Sequence, residues 1–265
     1  MIYLPVPGVL QVSKSIKIMK AKNIFLILFF FSTTEDYAQA SINQTIPVRA
    51  GQTVQMKFDY PELIRVTTWD GNAISIQGSV NINGGENDDA FVVENTTAGN
   101  VVKIQSEIRD MKNLPRRITI DRGGQRIMFR DRAEFQKYQA EHGKSYNSVS
   151  WGPDIDIELE IKVPRDMATH IRSVYGMVEV RNFSGPLTVD ATYGGVDASL
   201  AERSIGELTA ETNFGNIYTN LDLKFTDEEM KSRDFHTFVS VKPGSGPKYS
   251  FESKYGNVYL RKAGQ

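Results

Sequence analysis

The chain of 265 residues carries 31 basic and 32 acidic side chains, three His and no Cys. That near-neutral balance excludes the charge excess with which nucleic-acid binders hold phosphates. The lack of Cys excludes a disulfide scaffold, a thiolate metal site and a thioether-linked lipid anchor. Apolar residues make up 40% of the chain, and Thr, Val, Ile, Tyr, Phe, Gly and Asn dominate its second half, a composition of short strands and tight turns.

Lys20 and Lys22 precede the apolar run Ile24–Phe31, and Ala38-Gln39-Ala40 supplies a small-x-small cleavage site. Together they read as a secretory signal over residues 1–40. Eight apolar residues are too few to span a bilayer, which takes ~20. Met19 stands where a compact signal would begin, so residues 1–18 read as an upstream, mis-assigned start. Cleavage after Ala40 leaves 41–265 as one domain without a transmembrane span. It removes four of the 31 basic and two of the 32 acidic residues, leaving a net charge of −3. The expectation is an exported protein of the periplasm or cell surface.

From Ser41 to Ile120 the sequence alternates strands and turns. Thr45–Val48 and Thr53–Phe58 have the period of half-buried strands, and Gly84–Asp89 is a loop by composition. Ile64–Trp69, Asp70-Gly71 and Ala73–Gly78 resemble an early, degenerate copy of the repeat described below. Residues 109–150 break the pattern. Across 109–132 eight basic residues meet three Asp, and Ala133–His142 has good helix formers with Phe135 and Tyr138 one turn apart before Gly143. This reads as a basic, helical insert that packs on the β fold or caps its end. A functional reading makes Arg116, Arg117, Arg122, Arg126 and Arg130 a patch for an acidic surface glycan, a lipid headgroup or nucleic acid, the last of which an exported protein meets little.

Asp154–Pro164 alternates strictly, with Ile155, Ile157, Leu159, Ile161 and Val163 on one face and Asp154, Asp156, Glu158, Glu160 and Lys162 on the other. The carboxylates are the wet side of a strand; a hard-cation site would gather its oxygens from a turn.

The stretch 173–260 repeats aromatic-Gly-x-Val/Ile four times, with the aromatics at Tyr175, Tyr193, Phe214 and Tyr255. Gly185–Leu200 aligns with Gly206–Leu221 without a gap, which sets a period of 21 residues. Such a period marks one supersecondary unit stacked on its copies. At ~3.3 Å per extended residue a coil measures at most ~70 Å, room for two or three short strands. The predicted fold is all-β, a right-handed parallel β-solenoid with coils of roughly 20 residues. Parity puts Val196, Ala198 and Leu200 inside and Tyr193 and Phe214 outside, with Tyr218 and Tyr259 beside them. A bulge or a positive φ at the repeated Gly would turn the rings inward instead, and both orientations stay open. Facing out, Tyr175, Tyr193, Phe214, Tyr218, Tyr255 and Tyr259 form an aromatic ladder that either braces the coils or stacks on sugar rings.

Asp190, Glu211 and Glu252 each stand three residues before a repeated aromatic, with Arg172 in that place in the first copy. If the coils stack in chain order, Asp190 meets Glu211, a pair able to do acid–base work on a polysaccharide. His142, His170 and His236 have no carboxylate partner at ligand spacing, so no metal site and no cofactor is read. Phe235–Val241 resumes a strand, and the coil at Tyr255–Leu260 reads as the last of the stack.

The strand ending in Val163-Pro164, the Tyr-Gly-x-Val copies and the Gly-x-Leu-Thr run resemble the DUF4097-type adhesin β-strand-repeat proteins, exported proteins common in Bacteroidetes. The resemblance is best over 154–265, fainter over 41–108, and leaves 109–150 outside. It implies a parallel β-solenoid at the cell envelope and no catalytic residues. The leading expectation is a non-enzymatic binding, adhesion or scaffolding module for a glycan or another envelope protein, with no nucleic-acid partner. The alternatives are a polysaccharide-acting enzyme using the Asp190/Glu211 row, and an assembly element whose end coil stacks on another chain.

Overall fold

The computed structural model of the chain describes residues 40–224 and 230–264, which belong to one compact unit. The reading of residues 1–40 as a secretory signal, with 1–18 as an upstream start, falls outside the described residues except for Ala40. In chain order the strands are β1 (Ala40–Pro47), β2 (Thr53–Phe58), β3 (Leu63–Trp69), β4 (Ala73–Ile82), β5 (Phe91–Ala98), β6 (Val101–Ile108), β7 (Arg117–Arg122) and β8 (Gln125–Phe129). Helix α1 (Arg132–His142) follows, then β9 (Ser148–Gly152), β10 (Ile155–Pro164), β11 (Thr169–Ser173), β12 (Met177–Val180), β13 (Leu187–Ala191) and β14 (Val196–Leu200). The chain ends with β15 (Glu207–Thr212), β16 (Ile217–Thr219), β17 (Met230–Arg233), β18 (His236–Val241), β19 (Lys248–Ser253) and β20 (Val258–Lys262).

The protein is all-β apart from α1 and three short 3-10 turns among the described residues. One sheet runs β1-β4-β10-β3-β12-β14-β20-β16 and a second runs β17-β18-β15-β19-β13-β11-β2-β6-β5. The alternation read from the sequence decides their inner faces: Val189 and Ala191, then Val196, Ala198 and Leu200, are buried in successive strands of one coil. The inward residues of both sheets join in a single apolar cluster.

Both sheets are mixed. Their middles are parallel, and β1, β4 and β5 close one end antiparallel while the β17–β18 hairpin closes the second sheet at the other. A coil enters the second sheet, turns at the aromatic corner and leaves through the first: β2 to β3, β11 to β12, β13 to β14, β19 to β20 and β15 to β16. The copies do not stack in chain order. β19 pairs with both β13 and β15, and β20 with both β14 and β16. The coil at Tyr255–Leu260 is therefore interior, not the end of the stack.

The early copy is also relocated. Phe58 lies in register with Ser173, which sets Tyr60-Pro61 against Tyr175-Gly176; the turn at Trp69-Asp70-Gly71 belongs to the opposite end of β3. The insert has a place in this scheme. β6 pairs with β2 and β10 with β3, both parallel, so residues 109–154 are the corner of a further coil, enlarged to hold a three-stranded sheet β8-β7-β9 and α1. In β7 Ile118 and Ile120 alternate with Arg117, Thr119 and Asp121, and in β8 Arg126 precedes Ile127, so the surrounding charge concealed the short strand pattern. Asp131 caps α1 by accepting from the Glu134 amide (2.9 Å), and Phe135 packs with Ile118, Ile120 and Phe129 in a separate small core.

In a stack built in chain order, removing the last coil trims one end. Here, deleting residues 248–265 takes away the strand pair on which β13, β14, β15 and β16 all depend. The expected result is loss of the cooperative unfolding transition of the whole unit, read by circular dichroism in denaturant. A truncated protein that keeps one sharp transition close to the parent midpoint would contradict the interleaved pairing.

Candidate functional site

The aromatic corner is built by close backbone approach. A Cβ placed on Gly194 would overlap the Gly176 carbonyl, one on Gly256 the Gly194 carbonyl, and one on Gly215 the Gly256 carbonyl. None of the four motif glycines has a positive φ. They are needed for proximity, so the backbone does not flip the rings inward. Hydrogen bonding passes through the corner without a break: the Tyr193 amide donates to Val174 O (2.7 Å), Tyr255 to Thr192 O (2.9 Å) and Phe214 to Lys254 O (3.0 Å).

Buried hydroxyls two residues before the rings complete it. Ser253 Oγ accepts from the Gly256 amide (2.9 Å) and donates to Gly194 O (2.7 Å); Thr212 Oγ1 accepts from Gly215 (3.0 Å) and donates to Gly256 O (2.9 Å). A residue such as Thr212, wholly buried, is satisfied by these two bonds. This hydroxyl column was legible in Ser173, Ser253 and Thr212 but was not singled out.

With the hydroxyl turned in, the ring turns out. Tyr60, Tyr175, Tyr193, Tyr255, Phe214 and Phe235 stack in that order, with centroids 6.3, 5.5, 5.1, 5.2 and 5.6 Å apart and planes within 28° of parallel. Offset stacks of this spacing are favourable. Tyr175, Tyr193, Tyr255 and Phe214 are 58, 56, 42 and 56% exposed, and Phe235 is 71% exposed. Tyr218 and Tyr259 belong elsewhere: they stack on each other (5.1 Å) on the outer face of the first sheet, with the Arg261 guanidinium 5.2 Å from the Tyr259 ring. Tyr60 and Phe235 were missed, because Pro61 replaces the glycine in one case and the β17–β18 turn delivers the ring in the other.

The polar row lies on the same strands. Arg172 is in register with Asp190, Asp190 with Glu252 and Glu252 with Glu211. Asp190 and Glu211 are thus two strands apart, not neighbours. Two of the histidines read as isolated are partnered: His170 Nε2 lies 2.6 Å from Asp190 Oδ2, and His236 Nε2 lies 2.8 Å from Glu211 Oε1. An ionised carboxylate only accepts, so each imidazole donates through Nε2. These contacts cross between strands 20 and 25 residues apart, a distance that local spacing cannot reveal. Glu252, between two carboxylates, has its pKa raised above 4.5 by partial burial first and by Glu211 and Asp190 second, opposed by His236 and Lys254.

The five arginines do not form one open patch. Arg117 pairs with Glu86 (2.5 Å) and is nearly buried, Arg126 bridges Glu62 (2.7 Å) and Asp154 (2.9 Å), and Arg122 donates to Tyr138 Oη and His142 O. Arg116 reaches Trp151 O at 3.4 Å, and Arg130 stays exposed near Glu86. Asp154, expected on the wet face, is only 8% exposed and also accepts from Thr119 Oγ1 (2.7 Å). No group of three or more His, Asp or Glu able to hold a metal occurs among the described residues. Nor is any helix among them long and apolar enough to cross a membrane.

No family model matches the chain, and no curated protein matches it. Two solved structures are matched at low similarity. A "putative cell adhesion protein" from Clostridium sporogenes is 9% identical, covering 85% of this chain and all of its own, at a TM-score of 0.42. A "putative adhesin" from Bacteroides fragilis is 10% identical, covering 85% of this chain and 98% of its own, at a TM-score of 0.31. At such scores neither carries an argument.

Two outcomes follow from the corner. Gly194→Ala is expected to cost at least about 1–3 kcal/mol, since the clash is with backbone, whereas Gly152→Ala, in open space, should be near neutral; paired denaturant titrations decide it. Glu252 holds its proton longer folded than unfolded, so its contribution to stability falls as pH rises from the ordinary glutamate range through the raised value. Glu252→Gln should therefore gain melting temperature over the parent at neutral pH, with the gain shrinking below the ordinary range. An equal gain at both pH values would remove Glu252 as the cause.

Proposed function

We propose that this chain is a non-enzymatic, exported binding module of the cell envelope whose contact surface is the aromatic corner. The observation that carries the reading is the continuous ribbon of six stacked rings, five of them 42–71% exposed. Contiguous exposed apolar surface on a small protein marks an interaction site. The parallel middle is read as a short right-handed β-solenoid that sets the rings at the strand spacing of ~4.8 Å. Export rests on the leader pattern of residues 1–40.

The partner that fits best is a glycan chain. Sugars offer C–H surfaces and hydroxyls together, matching rings flanked by the acceptors Asp190, Glu252 and Glu211. Glu252 also favours an enzyme, because a carboxyl whose pKa is raised by burial and by neighbouring carboxylates is a candidate general acid. It lies on an open sheet face and not in a cleft, so binding is preferred.

Glycan-array binding of the protein should be lost, by at least about tenfold, in a Tyr193→Ala/Phe214→Ala variant whose circular dichroism matches the parent. Binding that survives in the variant would return the ladder to a bracing role. Shortened oligosaccharides in the same incubation would favour the enzyme.

A further inference from the structure

The outer face of the second sheet changes sign along the ladder. Three places before the rings stand Lys57 behind Tyr60 and Arg172 behind Tyr175, then Asp190, Glu252 and Glu211 behind Tyr193, Tyr255 and Phe214. Register makes these five one row across β2, β11, β13, β19 and β15. Lys57 and Arg172 are direct lateral partners, with side chains 58 and 65% exposed. Like charges placed opposite one another destabilise a sheet, so stability alone does not call for this pair.

A hollow of about 150 Å³ opens beside the pair, lined among others by Gln55, Lys57, Lys103, Gln105, His170 and Arg172. A second, of about 220 Å³, continues it toward β13 and shares Gln55 and His170. Among the described residues no acid lines either hollow. Three of the lining groups already have partners: Lys57 pairs with Asp59 (3.1 Å), and Arg172 and His170 reach Asp190 (3.7 and 2.6 Å). The other three do not. Lys103, Gln55 and Gln105 are exposed and make no hydrogen bond or ion pair among the described residues. Gln55 is in register with Lys103, and Lys57 with Gln105. Glu94, opposite Gln105 on β5, is held by Arg109 at 3.3 Å.

We propose that this hollow binds the anionic group, a carboxylate or a sulfate, of an acidic glycan. Lys103 brings a charge with no counter-ion of its own, and the amides of Gln55 and Gln105 bring N–H donors, a set that suits an oxygen anion. Lys57 and Arg172 keep further donors beyond the contact each makes to its acid. The change of sign gives the surface a direction. An anionic sugar belongs at the Tyr60–Tyr175 end, and Asp190, Glu252 and Glu211 repel it from the other. This rests on the glycan reading above and adds the charge of the ligand.

Titrations compare a galacturonate hexamer, the same hexamer with its carboxyls methyl-esterified, and a sulfated galactose hexamer. Each is measured on the parent, on Lys103→Glu, which breaks no existing contact, and on Lys112→Glu, which makes the same charge change on the insert. The expected result is at least about tenfold tighter binding of an anionic hexamer than of the ester, lost in Lys103→Glu and kept in Lys112→Glu. Whichever anionic hexamer binds more tightly identifies the group as carboxylate or sulfate. Equal binding of all three on the parent would overturn the inference and leave the glycan reading standing. Equal loss in both variants would reduce the preference to net charge, and a preference that survives in Lys103→Glu would place the anion elsewhere; either result overturns the site. Failure of all three on the parent would also overturn it, while the array experiment above still decides the glycan reading.

Discussion

At the aromatic corner the glycine of one coil lies against the carbonyl of the next, and this approach fixes the geometry on both sides of it. Because Gly176, Gly194, Gly256 and Gly215 lack a Cβ, the backbones pass at hydrogen-bonding distance where a chain normally splays. Amide-to-carbonyl bonds then run unbroken from the second sheet through the corner into the first, as in Tyr255 to Thr192 and Val258 to Asn216. Ring spacing is a consequence. Side chains rooted in strands ~4.8 Å apart can only stack at about that distance, and the observed 5.1–5.5 Å between interior rings is that spacing with a small offset.

The corner's local chemistry was readable because it repeats. Aromatic-Gly-x-Val, the alternating parity of Val196, Ala198 and Leu200, and the outward rings all follow from residues within one coil. The order of the coils was not readable, because each copy presents the same edge and a period cannot say which copy meets which. That choice is made over long range: the β17–β18 hairpin pairs with the outer side of β15, leaving its inner side for β19. The same limit hid the partners of His170 and His236. Tyr60 escaped for a different reason, since proline satisfies the corner at the one coil whose neighbour beyond is the insert rather than another glycine.

The insert shows how the stack tolerates a large excursion. Residues 109–154 replace a corner of a few residues, and both ends return to strands already in register with β2 and β3. Their return at Asp154 buries a carboxylate, which costs free energy unless it is bonded and paired. Arg126 and Thr119 meet that need, and Asp154 accepts all three of their bonds through one oxygen. The local excess of positive charge is thereby accounted for in large part by Glu86, Glu62 and Asp154, acids that lie outside the basic run 109–132. Charge read along the sequence overstated the charge offered to a partner.

Bracing and binding are compatible roles for the rings. The core is closed by Val, Ile and Leu without them, and ring pairs add roughly 0.5–1.5 kcal/mol each beyond area burial. Stacking does something more useful for recognition: it holds each interior ring by two neighbours, so little side-chain freedom remains to be lost when a partner arrives. A row of exposed rings that were free to rotate would bind weakly and attract its own kind. Rings fixed at strand spacing, three of them with a carboxylate three residues behind and Tyr175 with Arg172 in that place, form a periodic surface whose charge changes from coil to coil.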